Sequence, residues 1–393
     1  MDTTFDIIVI GGGLAGQSLV YHLLKGPLRN SRIALIDLSP KTSNDRTWCF
    51  WEKEAGPFEQ IVFHRWDKLG FFSPGFSAAL DIAPYSYKMI RGEDFYSLVG
   101  TELAAAPSVD RFYGRVLNWE SDGKRVRVRL EDGREIEGRW GFSSIPGGPV
   151  DKNRFHYMDQ HFKGWVIRTK APAFDPGAAT FMDFRVPQEQ GLSFLYALPV
   201  DHHRALVEIT FFSRRLFSGE EYDGMLRNLI PSFVTGQAYE IEHEETGAIP
   251  MTDFPFPRQD GRVVFIGTAG GHTKPSSGYT FQRLQKNLSA MVRQMEISGS
   301  PFPLPRIAPA RFGLFDSTLL NVLGNGTMAG GDLFAELFRG NPPARVLDFL
   351  NEETDLAADL RIMASVPTGP FLKAFLQEAG KRIFRSHQTK APF

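Results

Sequence analysis

Apolar and polar positions divide the chain into stretches of different period. Near the start, Phe5 is followed by Ile7, Ile8, Val9 and Ile10, an unalternating run that predicts a strand buried on both faces, as in a parallel sheet. Residues 18–24 shift to a helical period with one apolar face, and residues 32–38 (RIALIDL) form a second buried run. Residues 64–80 are aromatic and broken by glycine, and predict strands and turns of an inserted lobe. A helix is predicted from Arg91, with Glu93 and Asp94 in the first turn where the helix dipole favours them. Residues 111–140 alternate around two Asp-Gly turns, SDGK and EDGR, which predicts a β-meander. Residues 161–249 are mostly strand-like with a short helix near 220–229, and predict a largely antiparallel sheet. Residues 262–267 (RVVFIG) return to the buried-strand pattern before a long helix, and residues 301–393 read as Pro-punctuated helix.

Between the first strand and the first helix stand Gly11, Gly13 and Gly16, at GxGxxG spacing. The first glycine allows the sharp turn, the second lets a pyrophosphate reach the backbone, and the third lets helix and strand pack closely. With Leu14 and Ala15 they place a helix N-terminus against the phosphates. Asp37 ends the second run, 21 residues after Gly16, where an acidic residue holds a ribose hydroxyl. The context is that of a dinucleotide site. The loop after residue 267, TAGGHTKPSSGYTF, is a second phosphate-facing turn, and no second GxGxxG offers a nicotinamide site. The expected cofactor is therefore FAD. The fold class expected is α/β (α+β), with a Rossmann-like FAD-binding domain of the hydroxylase/glutathione-reductase type from residues 1–60, 88–155 and 255–300. An antiparallel-sheet substrate domain is expected from residues 61–87 and 156–254, and a helical region from 301–393.

Composition narrows the class of function. The 393 residues carry a net charge of -1, so no excess of basic residues points to nucleic acid. The single cysteine, Cys49, excludes an internal disulfide framework and suits a reducing compartment. The first apolar run passes straight into the glycine turn, as expected of a strand and not of a secretory signal. No stretch approaches the ~18 apolar residues that span a bilayer, and the mean hydropathy of -0.21 fits a soluble or peripheral protein. Phenylalanine is abundant, 34 against 10 Tyr and 6 Trp, which suits either a large apolar cavity or a Phe-rich core.

Candidate chemistry is sparse. His202 and His203 are adjacent, so their side chains diverge on a strand, and no third ligand has metal-site spacing; no metal is expected. The GxSxG of a serine nucleophile is absent. Two carboxylates stand inside apolar strands, Glu208 in ALVEITFF and Asp183 in ATFMDFRV. Each must be paired, turned to solvent, or shifted to a raised pKa. Arg46, Trp48, Phe50 and Trp51 follow the second strand, at the carboxyl end where ligands of doubly wound sheets bind.

Nearly end to end, the chain resembles the lycopene cyclases, flavoprotein carotenoid cyclases of bacteria and plants. The resemblance rests on VIGGGLAG with Asp37, DRTWCFW at 45–51, PYSYKMIRGEDFY at 84–96, QHFKGW at 160–165, FMDFRVPQ at 181–188, LVEITFFS at 206–213 and GTAGGHTKPSSGYTF at 267–281. Hydroxylase relatives carry Gly-Asp after the late strand; here Gly267 is followed by Thr268, as in the cyclases. Two departures stand out. The family's Glu-Asp-Thr or Glu-Glu-Thr is here Glu208-Ile209-Thr210, which removes the second acid from this strand. The return strand often carries an Asp before Ser-Arg, where this chain has Phe142-Ser143-Ser144-Ile145.

The resemblance implies conversion of the acyclic ψ-ends of lycopene, or of related acyclic carotenoids, to β-ionone rings without net redox change. It implies reduced FAD as the active cofactor, with NAD(P)H as an external source of electrons. It assigns Glu208 as general acid/base and Asp183 as a supporting or alternative acid. Gly11, Gly13, Leu14, Ala15, Gly16 and Asp37 are expected at the ADP half, Arg91 and Arg46 near phosphate or ribityl, and Gly267, Pro275, Gly278 and Tyr279 at the flavin end. Trp48, Phe50 and Trp51 are expected in the cavity wall. An insoluble substrate implies a peripheral contact with the lipid surface, here expected through the C-terminal Phe312, Phe315, Leu319, Leu320, Phe334, Leu337 and Phe338, in a cytoplasmic protein at the bacterial cell membrane. The rival is a flavin monooxygenase or a prenyl or carotenoid reductase, which consumes NAD(P)H in step with product.

Overall fold

The computed structural model describes residues 4–388, with side chains through residue 383. The ends of the expected domains, residues 1–3 and 389–393, lie outside the described residues. The chain opens with β1 (Thr4–Ile10), α1 (Leu14–Leu24), β2 (Ile33–Asp37), β3 (Thr47–Glu52), β4 (His64–Trp66), β5 (Lys68–Ser73), β6 (Phe76–Asp81) and β7 (Ser86–Arg91). There follow α2 (Gly92–Ala105), β8 (Val109–Tyr113), β9 (Val116–Ser121), β10 (Val126–Leu130), β11 (Glu135–Ser143), β12 (Tyr157–Thr169), β13 (Ala178–Asp183), β14 (Leu192–Pro199) and β15 (Arg204–Ser213). After α3 (Gly219–Phe233), β16 (Tyr239–Thr252), β17 (Gln259–Asp260) and β18 (Val263–Phe265), the chain ends in helices α4 (Phe281–Ser298), α5 (Ala310–Gly324), α6 (Gly330–Gly340), α7 (Pro343–Leu350), α8 (Leu356–Ser365) and α9 (Thr368–Gln388).

β1 is the middle of an eight-stranded sheet, parallel to β2 on one side and β11 on the other. Its Ile8, Val9 and Ile10 have no exposed surface, as an unalternating apolar run requires. The expected meander is shorter than its pattern. Residues 109–113 pair in parallel with β2, because α2 carries the chain across the sheet before them. Only β9, β10 and β11 form the hairpins around the two Asp-Gly turns.

The second sheet has seven strands in the order β16-β12-β15-β14-β13-β5-β6. Residues 68–81 thus join the sheet expected for the substrate side, whereas β4 pairs with β7, and β7 with β3, in a separate three-stranded sheet. One face of the seven-stranded sheet is closed by α3, whose Tyr222, Leu226 and Ile230 pack on Val207, Ile209 and Phe211. Those helix positions recur at i, i+4 and i+8, the stripe of an amphipathic helix. A capping box between Ser218 and Glu221 starts α3. The other face turns toward the nucleotide-binding sheet at one end and toward α5–α9 at the other. Among the described residues no helix is long and apolar enough to cross a membrane.

Candidate active site

A row of residues crosses four strands on that second face. Tyr196 of β14 stands opposite Glu208 of β15, Glu208 opposite Gly164 of β12, and Gly164 opposite Glu245 of β16. Residues directly opposite one another share a face, so Glu208 and Glu245 project to the same side, two strand spacings or about 10 Å apart at the backbone. The glycine leaves the space over which the two carboxyls lean together. A methyl group on Gly164 would come within 3.2 Å of Glu208 Cβ and 2.9 Å of Leu206 Cδ1. The Thr210 hydroxyl donates to Glu208 Oε1 at 2.8 Å, and the Thr47 hydroxyl donates to Glu245 Oε2 at 2.6 Å.

Both carboxyls are buried. Burial, and after it the charge of Glu245, pushes the Glu208 carboxyl well above the ordinary carboxylate range, against the pull of Thr210. Burial pushes Glu245 up as well, against the Thr47 hydrogen bond. Two carboxyls this close in an apolar site cannot both ionise, so the pair keeps a proton. Around them, burial holds the Tyr87, Tyr196 and Tyr279 hydroxyls and the Cys49 thiol protonated. The site is therefore a proton-bearing carboxyl pair beside an aromatic wall, with Arg46 a nearby positive charge.

The carboxyl pair opens on a cavity of about 500 Å³ that runs back to the glycine turn at Gly13, Leu14 and Ala15, past Asp45, Arg46, Thr47 and Trp48, and along Gly267, Thr268 and Ser277–Phe281. Gly11 takes the turn at φ +97°, and a methyl group on Gly16 would lie 1.9 Å from the Gly11 carbonyl oxygen, so the close packing demands glycine at both positions. α1 begins at Gly13 with no side-chain cap and no acidic residue in its first turn, which leaves its N–H groups and its positive end for an anion. The second loop abuts the first: a methyl group on Gly267 would meet Ala15 Cβ at 2.9 Å. His272 braces this loop by accepting the Gly267 N–H at Nδ1, and burial lowers its pKa to about 3, so it stays neutral.

The polar atoms along this trough fit FAD. Asp37 Oδ2 and Gln17 Oε1 in the side pocket beyond β2, and Asp45 Oδ1, Gln160 Oε1 and Ser277 Oγ in the main cavity, are buried without a hydrogen-bond partner. Buried acceptors left unpaired are costly, and ribose, ribityl and ring N–H donors of the cofactor answer that need. Asp37 Oδ1 accepts the Leu38 N–H at 2.7 Å, while its Oδ2 has only Lys41 Nζ nearby, at 3.7 Å.

The family described as lycopene cyclase protein matches residues 6–376. The chain belongs to the lycopene cyclase family. It is 26% identical over 292 residues to the lycopene beta-cyclase of Pantoea ananas, covering 71% of this chain and 72% of that protein. It is 26% identical to the chloroplastic neoxanthin synthase of Solanum tuberosum over 71% of this chain and 58% of that one. Among solved structures it resembles a geranylgeranyl bacteriochlorophyll reductase-like protein of Thermoplasma acidophilum, with TM-score 0.61 and 13% identity over 94% of this chain and 98% of the other. A flavoprotein/dehydrogenase of Cytophaga hutchinsonii matches with TM-score 0.61 and 14% identity over 96% and 100%. The fold is that of FAD-dependent flavoproteins.

Within this cyclase fold the expected site residues separate. Glu208, Arg46, Trp48, Gly13, Leu14, Ala15, Gly267, Gly278 and Tyr279 line one cavity. Arg91 does not reach it: its guanidinium is held by Asp94 and Glu93 and lies over the Phe63 ring at 4.0 Å. Asp183 is also elsewhere, paired two-pronged with Arg185 at 2.9 and 2.6 Å. Phe50 stacks on Phe281, and Trp51 donates to the Leu347 carbonyl, so both belong to the packing behind the cavity. Pro275 lines a neighbouring hollow on the far side of its loop. Glu245 was not foreseen, because β16 reads as an acidic surface strand with Glu240, Glu242 and Glu244 all exposed. Its signal was the adjacent pair Glu244-Glu245: strand alternation must turn one of the two inward.

Proposed function

We infer that this cyclase converts the acyclic ends of lycopene to β-rings, and that the proton shared by Glu208 and Glu245 starts the reaction. The carrying observation is the buried carboxyl pair opening on the cavity that begins at the dinucleotide turn. Protonated Glu208 donates to the terminal trisubstituted alkene. The neighbouring internal double bond closes the ring onto the resulting cation, and loss of a ring proton back to the carboxylate restores neutrality, so atoms and electrons balance. Bound reduced FAD would supply a fixed negative charge that offsets the cation in a low-dielectric site. Tyr196, Tyr279 and Trp48 exclude water, which would quench the cation, and present aromatic faces to it. Glu245 favours the protonated form of Glu208, so the carboxylate that takes back the ring proton is ready for the next turnover.

The same reading takes NAD(P)H as the source of flavin electrons and a cytoplasmic protein docked on the lipid surface. The residues expected to dock do not fit that part: Phe312, Leu320, Phe334 and Phe338 are buried. The docking face proposed instead is Leu356 and Leu360 on α8 with Leu372 and Leu376 on α9, each between 52% and 66% exposed. Production of the chain in cells that accumulate lycopene tests the function. A ringed pigment of unchanged mass is expected, and unaltered lycopene overturns it.

A further inference from the structure

A second hollow, of about 430 Å³, lies between the seven-stranded sheet and the C-terminal helices. Its floor is Phe181 and Phe212, on the same sheet face as Glu208, and its roof includes Phe315 and Leu319 of α5 and Leu337 of α6. The buried polar groups at its edge satisfy one another: Lys274 Nζ donates to Asp316 Oδ1 at 2.8 Å and Ser276 Oγ to the same oxygen at 2.6 Å. The one unpaired buried polar atom at its edge, among the described residues, is Ser277 Oγ, which it shares with the Glu208 cavity. An empty apolar hollow of this size is destabilising, and dry hollows of this kind take apolar guests.

Among the described residues, Tyr196, Tyr279 and Ser277 line both this chamber and the cavity that holds Glu208, so the two spaces meet at these side chains. The two tyrosine hydroxyls are 3.4 Å apart, long for a hydrogen bond between hydroxyls, and the rings are held mainly by edge-on packing of Tyr279 on Trp51 and of Tyr196 on Phe194, so the partition is made of side chains. Tyr196 also stands opposite Glu208 in the sheet. A chain whose end is at Glu208 and which continues past Tyr196 enters the chamber directly. At the other end the chamber reaches Leu360 and Leu372, both exposed on α8 and α9.

We propose that this chamber holds the unreacted part of the polyene while its end is cyclised at Glu208, with Tyr196 and Tyr279 as the gate between the two. The proposal rests on the cyclase reading above. After the first ring closes, the ringed end must occupy the chamber for the second end to reach the acid, so chamber width governs whether one or both ends react.

The test uses the full chain with FAD bound and two substrates, lycopene and a truncated polyene with one acyclic end, too short to pass Tyr196. In Leu319→Trp and Leu337→Trp, kcat/KM for lycopene is expected to fall about tenfold or more while that for the truncated substrate stays within about twofold. Equal losses on both substrates with flavin retained, or no loss on lycopene, overturn the proposal. Phe315→Ala widens the chamber without adding bulk, and should raise turnover of the one-ringed polyene relative to lycopene; an unchanged ratio overturns it independently of how the tryptophan variants fold. Wild-type protein inert on both substrates would instead remove the cyclase reading itself.

Discussion

Glu208 and Glu245 come from strands that are not neighbours, yet both stand in register with one residue, Gly164, and meet over it. Position 209, where the family's second acid stands, faces α3 on the opposite side of the sheet, so the second carboxyl of this cavity comes from β16 and not from the Glu208 strand. Removal of the donor should be severe. Glu208→Gln keeps the shape and the Thr210 contact but has no acidic proton, and cyclisation should fall roughly a hundredfold or more. Pigment analysis in lycopene-producing cells measures it, and an undiminished yield would remove Glu208 from the chemistry.

Glu245→Gln is expected to act through pH. A carboxyl raised in the folded state keeps its proton above the ordinary value of 4.5, and the folded protein then binds more protons than the unfolded chain. Stability and activity should both be level at low pH and decline as pH rises through the raised value. Without the negative neighbour, the Glu208 carboxyl loses the charge that, after burial, does most to raise it. The falling limb of the pH–rate profile should therefore move to lower pH in Glu245→Gln. An unmoved limb would show that the two carboxyls titrate independently.

Gly164→Ala adds a methyl group 3.2 Å from Glu208 Cβ, an atom fixed to the backbone, in a sheet that cannot spread locally. Strand propensity alone would favour alanine, but the crowding outweighs it, at about 1–3 kcal/mol for overpacking. The variant should fold with a lowered Tm and lose activity out of proportion to that loss, since the methyl occupies the space in which the carboxyls share a proton. Thermal melting alongside turnover separates the two effects.

The parts legible in the sequence were those with short-range causes. Buried strands at residues 7–10 and 263–265 and the glycine turn between β1 and α1 follow from apolar runs and from backbone geometry that only glycine provides. Glu208 was conspicuous because an acid in an apolar strand must be accounted for. Register was not legible. That Glu245 faces Glu208 depends on the pairing of both strands with β12, between residues 44 and 81 positions away. Asp183 was misplaced for a different, local reason: it is paired with Arg185, two residues on, and does not line the cavity. The C-terminal phenylalanines had a clear apolar pattern, but pattern alone does not say whether a face meets lipid or the protein's own sheet.

The two arginines expected near the cofactor give the sharpest contrast. Arg46 lines the main cavity and hydrogen-bonds backbone carbonyls, those of Asp45 at 2.7 Å and Thr246 at 3.3 Å; its charge acts on Glu245 across the cavity, but its guanidinium makes no ion pair of the kind that holds Arg91 and is available to an anion. Arg91 is already neutralised by Asp94 and Glu93 at the start of α2. Arg46→Ala should weaken FAD retention about tenfold or more, the scale of one charge-assisted hydrogen bond. Arg91→Ala should leave it within about twofold and instead loosen the first turn of α2. Flavin content after gel filtration, read by absorbance, distinguishes them: if Arg91→Ala loses the flavin and Arg46→Ala keeps it, the phosphate end of the cofactor is on the other side of β3.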